Sequence, residues 1–529
     1  MKIQDMSLQE KILQTIVARM NVKQEFPQNV GAGFFFGEII TQADEMGFEN
    51  ARMLLDKFKA NCEIPPLITS DFENGCGGMF KGLTALPYLM SLGTANDDEL
   101  ADNYGKVTAM EAASIGANWS FSPVADVNLN ARNPLVNVRA VGDDAKRVSR
   151  MTRQIVRGMQ ENGLAACAKH FPGDGIDWRD QHIVTTNNTL SLEDWQRISG
   201  KVFQDLIDEG VYSIMAGHIT LPCYQEERHS NGMYMPATLS HELIDKLLKK
   251  EMGYEGVVVT DALDMGGFNG WYPTKQQSEI EAFKAGCDMV LWPTKDYVKN
   301  MTEAIENGYV SMERLDDAVS RILNMKEKLG LFDGDKKAEP LSEQDKIFVK
   351  QVQTDTADKS ITLVRDEINT FPLSVDKFKK IAVTAISQFE PFYEQGETLC
   401  KELRERGFQV DYFPDGGMSD EVIDQYDLIM YAVFSRPCRP IGFIDFQGSE
   451  AVKVHISLHY GGEKTVVVSF GSPYLGEQYF ERALTYVNAY SALDCSVEAF
   501  VRAAVGDIEF TEESPVKLCR HLQDQSYPV

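Results

Sequence analysis

Short apolar runs, each closed by glycine, proline or a charged residue, alternate along this chain with longer stretches whose apolar residues recur every three or four positions. The first pattern reads as strands buried on both faces, as in a parallel sheet covered by helices. The second reads as amphipathic helices. Strands are expected over Val30–Gly37, Pro65–Ser70, Ala117–Val127, the LAACA run ending at Ala168, Val211–Ile214, Gly256–Thr260 and Gly286–Trp292. Helices are expected over Leu8–Met20, Asp144–Asn162, Leu192–Glu209, His241–Met252 and Ser311–Leu331. Strand–helix alternation of this length predicts an α/β fold, a (β/α)8 TIM-type barrel over residues 1–332, with seven strands legible and the eighth not. Residues 333–375 begin charge-rich with Gly334 and Pro340 and read as a linker and connecting segment. From Lys379 a second alternation, KIAVTAI, FQVDYFP, LIMYAVFS and KTVVVSFG, predicts a smaller doubly wound sheet over 376–529.

Composition narrows the class without changing that picture. The 529 residues carry a formal net charge of −27, which repels nucleic acid and anionic membrane surfaces. No apolar run approaches the roughly 20 residues needed to span a bilayer, and the amino terminus has no signal-peptide core, so the expected address is cytoplasmic. The nine cysteines have neither CxxC nor Cys/His spacing and read as reduced, mostly buried thiols. No metal or cofactor is expected; His229, His241, His455, His459 and His521 are scattered and have no ligand spacing.

The candidate chemistry lies at strand ends, where barrel enzymes keep their sites. The LAACA strand runs into Lys169, His170 and Phe171, then breaks at Pro172, Gly173 and Gly175 into a polar loop holding Asp174, Asp177, Arg179, Asp180 and His182. GVVVT, from Gly256, delivers Asp261 at its end, a poor place for stability and a good one for attack on an electrophile. An imidazole gives and takes a proton near neutrality, and a carboxylate two residues away can hold its tautomer.

Lys169–Gly173, the Asp180-Gln181-His182 triplet and Thr260–Met265 together resemble, in order and spacing, the KH[FI]PG, Asp-x-His and [ST]-D-x-L-x-M motifs of glycoside hydrolase family 3, in its β-N-acetylhexosaminidase branch. Weaker matches, including SLQEKILQ, SFGSPY and SPVKL, extend the resemblance over nearly the whole chain and imply an α/β/α sandwich after the barrel. It implies a retaining exo-glycosidase acting on a small carbohydrate, terminal β-linked N-acetylhexosamine. Asp261 would be the nucleophile, and His182 with Asp180 the acid/base dyad. It also implies sugar contacts from Lys169, His170, Arg139 and Asp71, a supporting place for His218, and an aglycone side lined by Asp264 and Met265. The oligomeric state stays open.

Two departures from the family pattern stand out. The D-x-E-G-G-R segment is here Asp71, Phe72, Glu73, Asn74, Gly75 and Cys76, without the arginine, and Asp174 replaces the histidine common between the two loop glycines. Three rivals remain. One is a β-glucosidase or β-xylosidase using a carboxylate of the second domain, such as Glu394, Glu397 or Glu450. Another is a β-N-acetylglucosaminide phosphorylase, and the third a sugar-binding protein on a decayed scaffold.

Overall fold

The computed structural model describes residues 3–20, 26–36, 47–334, 338–387, 393–414, 418, 420–435, 462–511 and 513–518. The chain falls into two units, one of 1–86, 98–133 and 145–350, the other of 87–97, 134–144 and 351–529.

The first unit is built on β1 (Ile16–Met20), β2 (Ala32–Phe35), β3 (Leu67–Ser70), β4 (Trp119–Ser120), β5 (Cys167–Phe171), β6 (Thr186–Asn187), β7 (Ser213–Ala216), β8 (Ile219–Thr220), β9 (Val257–Thr260) and β10 (Val290–Leu291). Parallel pairing runs β10-β1-β2-β3-β4 in one ladder and β5-β7-β9 in another. Parallel bridges Trp119–Ala165 and Val259–Met289 join the two ladders at both edges, which closes a ring of eight strands. The short β6 and β8 pair with each other outside the ring. Helices Gly47–Lys59, Asp98–Ile115, Ala145–Glu161, Ser199–Asp208, Glu242–Glu251, Lys275–Ala285 and Met312–Lys328 are among those that follow ring strands, giving the expected (β/α)8 barrel. Its interior is packed with Val17, Phe34, Trp119, Phe121, Cys167, Met215 and Val259.

The eighth strand is β1, hidden inside the helix expected over Leu8–Met20. The helix covers only Leu8–Gln14, opened by a capping box between Ser7 and Glu10. It ends at Thr15, whose hydroxyl donates to the Ile12 carbonyl at 2.7 Å. Ile16 and Val17 then enter the ring between β10 and β2. Their β-branched side chains suit a strand, and pairing on both edges outweighs an apolar spacing that also fits a helix.

The second unit holds β11 (Thr362–Asp366), β12 (Lys380–Ser387), β13 (Gln409–Tyr412), β14 (Leu428–Phe434), β15 (Thr465–Phe470) and β16 (Thr485–Asn488). Their order is β11-β16-β15-β14-β12-β13, parallel except for β11 against β16. Alternate residues feed two cores. Val383, Met430 and Val468 pack with Leu399, Leu403 and Phe500 of helices Tyr393–Glu405 and Asp494–Val505. Ile429, Tyr431 and Val467 pack with Ile423 and Leu475 on the other face. This is the α/β/α sandwich. The stretch read as linker contains helix Glu343–Asp358 and β11.

Candidate active site

The polar residues singled out in the barrel cluster just beyond the carboxyl ends of β3, β5, β7 and β9. Across Lys169 and His170 the pairing of β5 with β7 shifts register, and bulges of this kind re-aim side chains beside functional sites. Lys169, 3% exposed, sets its ammonium 2.8 Å from Asp71 and 2.6 Å from Glu73. The pair of acids after β3 thus shares one buried cation, which offsets their mutual repulsion.

His170 stands between two carboxylates. Its Nδ1 lies 2.7 Å from Asp126 Oδ2, and its Nε2 lies 3.9 Å from Asp261 Oδ2. Asp126 Oδ1 also accepts the His170 amide at 3.0 Å and the Asp174 amide at 2.8 Å. The sequence reading did not select Asp126, although it follows an apolar run, FSPVA, as Asp71 and Asp261 follow theirs. Asp261 begins where β9 ends; its amide donates to Ala216 of β7, and its Oδ1 accepts the Ala262 amide at 2.7 Å. Burial works against its charge, but His170, His218 and His182 outweigh burial and hold the carboxyl below its ordinary range. A carboxylate kept ionised at a strand end, out of bulk water, is equipped for nucleophilic attack.

The loop after β5 brings Asp180 and His182 together. His182 Nδ1 lies 2.8 Å from Asp180 Oδ1, which also accepts the His182 amide at 2.8 Å. Asp180 is buried while the His182 side chain is 28% exposed. With Nδ1 committed to a carboxylate, Nε2 is the ring atom left for proton transfer. Amides of Gly266 and Gly267, just past the Asp261 segment, donate to the carbonyls of His182 and Gln181 at 2.7 and 3.0 Å. These bonds stitch the loop of His182 to the segment that follows Asp261. Asp177 and Arg179 pair with each other at 2.6 Å and leave Asp180 to His182.

His218 is fully buried, with Nδ1 3.0 Å from Thr238 Oγ1 and Nε2 3.0 Å from the Ala262 carbonyl. Burial pushes its pKa down, against the pull of Asp261 and that carbonyl. Both ring nitrogens are spent on the protein, so it braces the residue after Asp261. Met265 is buried in the barrel core, and Asp264 is half-exposed and 3.0 Å from Arg19. Trp178 is exposed.

Arg139 falls in the second unit, at the end of a turn over Asn137–Arg139, where its guanidinium donates to the Leu135 carbonyl at 3.1 Å. Glu394 and Glu397 are exposed on helix Tyr393–Glu405, and Glu450, His455, His459 and His521 lie outside the described residues. Among the described residues no group of acids, histidines and cysteines is arranged to hold a metal ion, and no helix is long and apolar enough to cross a membrane.

Comparison with known proteins adds lineage to this geometry. Residues 7–325 match the model of the glycosyl hydrolase family 3 N-terminal domain. A β-N-acetylglucosaminidase/β-glucosidase from Cellulomonas fimi is 31% identical over 493 residues, 88% of this chain and 86% of the relative. Among solved structures, a β-glucoside phosphorylase, BglX, superposes with a TM-score of 0.86 at 28% identity, covering 97% of this chain and 95% of the other. A family 3 β-N-acetylglucosaminidase from Paenibacillus sp. FPU-7 superposes with a TM-score of 0.82 at 25% identity, covering 98% and 100% of the two chains.

Proposed function

This chain belongs to glycosyl hydrolase family 3, and from that premise we propose that it is a retaining, exo-acting β-N-acetylhexosaminidase removing terminal β-linked N-acetylglucosamine. The observation that carries the reading is the 2.8 Å pairing of His182 with the buried Asp180, on a loop bonded to the segment that follows Asp261. In the first step the Asp261 carboxylate forms a bond to the anomeric carbon as the bond to the leaving oxygen breaks, and protonated His182 gives its Nε2 proton to that oxygen. In the second, neutral His182 takes a proton from water, the water oxygen bonds the anomeric carbon, and the Asp261 ester bond breaks. Two displacements at one carbon retain its configuration.

Lys169, aligned by Asp71 and Glu73, and His170 are assigned to the ring hydroxyls of the bound sugar, whose vicinal donors and acceptors suit such groups. Asp71 completes this subsite in the proposal. His218 supports Asp261 from behind. The address we propose is the cytoplasm, on the free thiols of Cys62, Cys76, Cys167, Cys223, Cys287, Cys400 and Cys495.

Phosphorolysis is the second reading, favoured by the likeness to the phosphorylase over 97% of the chain. A neutral imidazole repels an incoming phosphate less than a carboxylate base would. Turnover of nitrophenyl β-N-acetylglucosaminide and nitrophenyl β-glucoside, each with and without phosphate, separates these activities. The acetamido sugar should be preferred, and Asp261→Asn should lower its turnover by about a thousandfold or more. A sugar 1-phosphate formed only with phosphate present would establish the second reading. Preference for the plain glucoside, undiminished in His182→Ala, would withdraw the dyad.

A further inference from the structure

The glycine-bounded bend after β5 buries an acid that the two displacements do not use. Asp174 is 3% exposed. Its Oδ1 accepts from the Gly175 amide at 2.7 Å and from Asn133 Nδ2 at 3.0 Å, and its Oδ2 accepts from Gln181 Nε2 at 3.3 Å. Neither amide side chain is free to turn round. Asn133 Nδ2 also donates to the Asp177 carbonyl at 2.8 Å, and Gln181 Oε1 accepts the His218 amide at 2.8 Å. Three donors therefore converge on this carboxyl, and they need it as an acceptor.

Gln181 is the residue between Asp180 and His182. On the opposite side, the Asp174 amide donates to the same Asp126 oxygen that takes the His170 amide. One buried acid is thus joined by single hydrogen bonds to the loop of the dyad and to the carboxylate that orients the histidine beside Asp261. We propose that Asp174 is a positioning residue whose carboxylate, acting through Gln181, fixes Asp180 and His182 relative to Asp126 and His170. The inference rests on the glycosidase reading above.

The charged groups facing Asp174 are Asp126, on the segment after β4, and His170, on β5; Asn133 and Gln181 are neutral, and Asp177 turns its carboxylate to Arg179. Burial first, then Asp126, push the Asp174 pKa up to about 7, against His170, the Gly175 amide and Asn133. Above that value the carboxylate accepts all three bonds. Below it, a proton on Oδ2 confronts the Gln181 amide; turning that amide to suit would forfeit the bond to His218.

The test uses the whole chain and two aryl β-N-acetylglucosaminides, one with a good leaving group (2,4-dinitrophenol) and one with a poor leaving group (phenol). Departure of phenol needs the proton from His182, and departure of dinitrophenol does not. In Asp174→Asn, kcat for the phenyl substrate is expected to fall about tenfold more than for the dinitrophenyl substrate, with KM little changed and the limb of the pH profile near 7 removed. Equal losses on both substrates, or an unmoved limb, would overturn the assignment. His182→Ala serves as the reference. If it leaves the ratio of the two rates unaltered, the His182 acid/base reading itself fails; if it alters the ratio and Asp174→Asn does not, only the positioning role fails. Should Asp174→Asn not fold, hydrogen exchange of the 176–187 segment in the parent decides: protection, corrected for intrinsic rates, should drop from pH 8 to pH 6, and equal protection refutes the role.

Discussion

Asp126→Asn should disturb the site from behind. Asp126 Oδ2 pairs with His170 Nδ1 at 2.7 Å, which places an imidazole proton on Nδ1 and leaves Nε2 turned to Asp261. An asparagine that keeps the two amide bonds on its oxygen must point an NH2 group at Nδ1, so the ring is driven to the opposite tautomer. The expected result is a fall in kcat/KM of about tenfold to a hundredfold, from reversed polarity at Nε2, with the thermal midpoint moved only modestly. Steady-state kinetics beside a melting curve would check it, and a melting point that fell in step with activity would point to misfolding instead. Asp126 was findable from the chain, because it closes an apolar run just as Asp71 and Asp261 do. What a linear string withholds is the partner of each acid. Lys169 is expected from the chain as a sugar contact, and its ion pairs with Asp71 and Glu73 follow from β3 and β5 facing one barrel mouth. The Asp180–His182 pairing was legible because both ends sit in one loop, two residues apart.

Elements were legible where a single force decided them. The helix Met312–Lys328 has a clear apolar stripe and a Ser311 cap, and β9 is an unbroken β-branched run. β1 was lost because Ile16 and Val17 continue the apolar spacing of the helix before them, and only pairing with β10 and β2, distant in sequence, makes them a strand. β11 and β16 are partners 119 to 126 residues apart, Thr362 facing Asn488 among others, and show little locally. The helix Asp98–Ile115 illustrates how one element governs another. Its Glu111 is buried and takes the Thr84 amide on both oxygens, at 2.9 and 3.0 Å, which pins the loop that follows Asp71 and Glu73. Burial, only partly offset by those bonds, raises its pKa from 4.5 to about 7. The fold therefore holds this proton more tightly than the unfolded chain does, and the associated stability, full below pH 4.5, is lost as pH climbs through 7. At pH 8 that loss amounts to about 3 kcal/mol. Relative to the parent, Glu111→Gln should gain thermal stability progressively from pH 4.5 to 7 and then level off. Melting curves at pH 5 and pH 8 give the sign directly, and a constant difference between them would contradict it.

At the scale of the molecule, the two units interleave along the chain. Segments 87–97 and 134–144 leave the barrel sequence and count with the later unit. Gly93 approaches the Val141 carbonyl so closely that an added Cβ would lie 1.9 Å away. The Asp143 amide donates to the Pro515 carbonyl at 3.0 Å, Asn137 Nδ2 to Ser472 at 3.2 Å, and Lys359 pairs with Asp97 at 2.7 Å. A composition shift such as the charges near Gly334 suggests a linker, but it carries no trace of an excursion that packs with residues hundreds of positions later. The consequence is testable by truncation. A chain ending at residue 332 keeps every ring strand together with Asp180, His182 and Asp261, yet it strips the excursions of their partners Lys359, Ser472 and Pro515. Each lost hydrogen bond is worth about 1 kcal/mol, and each newly bared apolar contact adds about 25 cal/mol per Å². Against a total folding stability of about 5–15 kcal/mol, losses of that kind are large. The truncated chain should melt about 10 °C or more below the parent, or associate through the uncovered segments, and Arg139, carried on one of them, should lose its fixed place. Circular dichroism melting and light scattering read both effects. An unaltered midpoint with a monomeric product would mean that the excursions support themselves, and the barrel could then be studied alone.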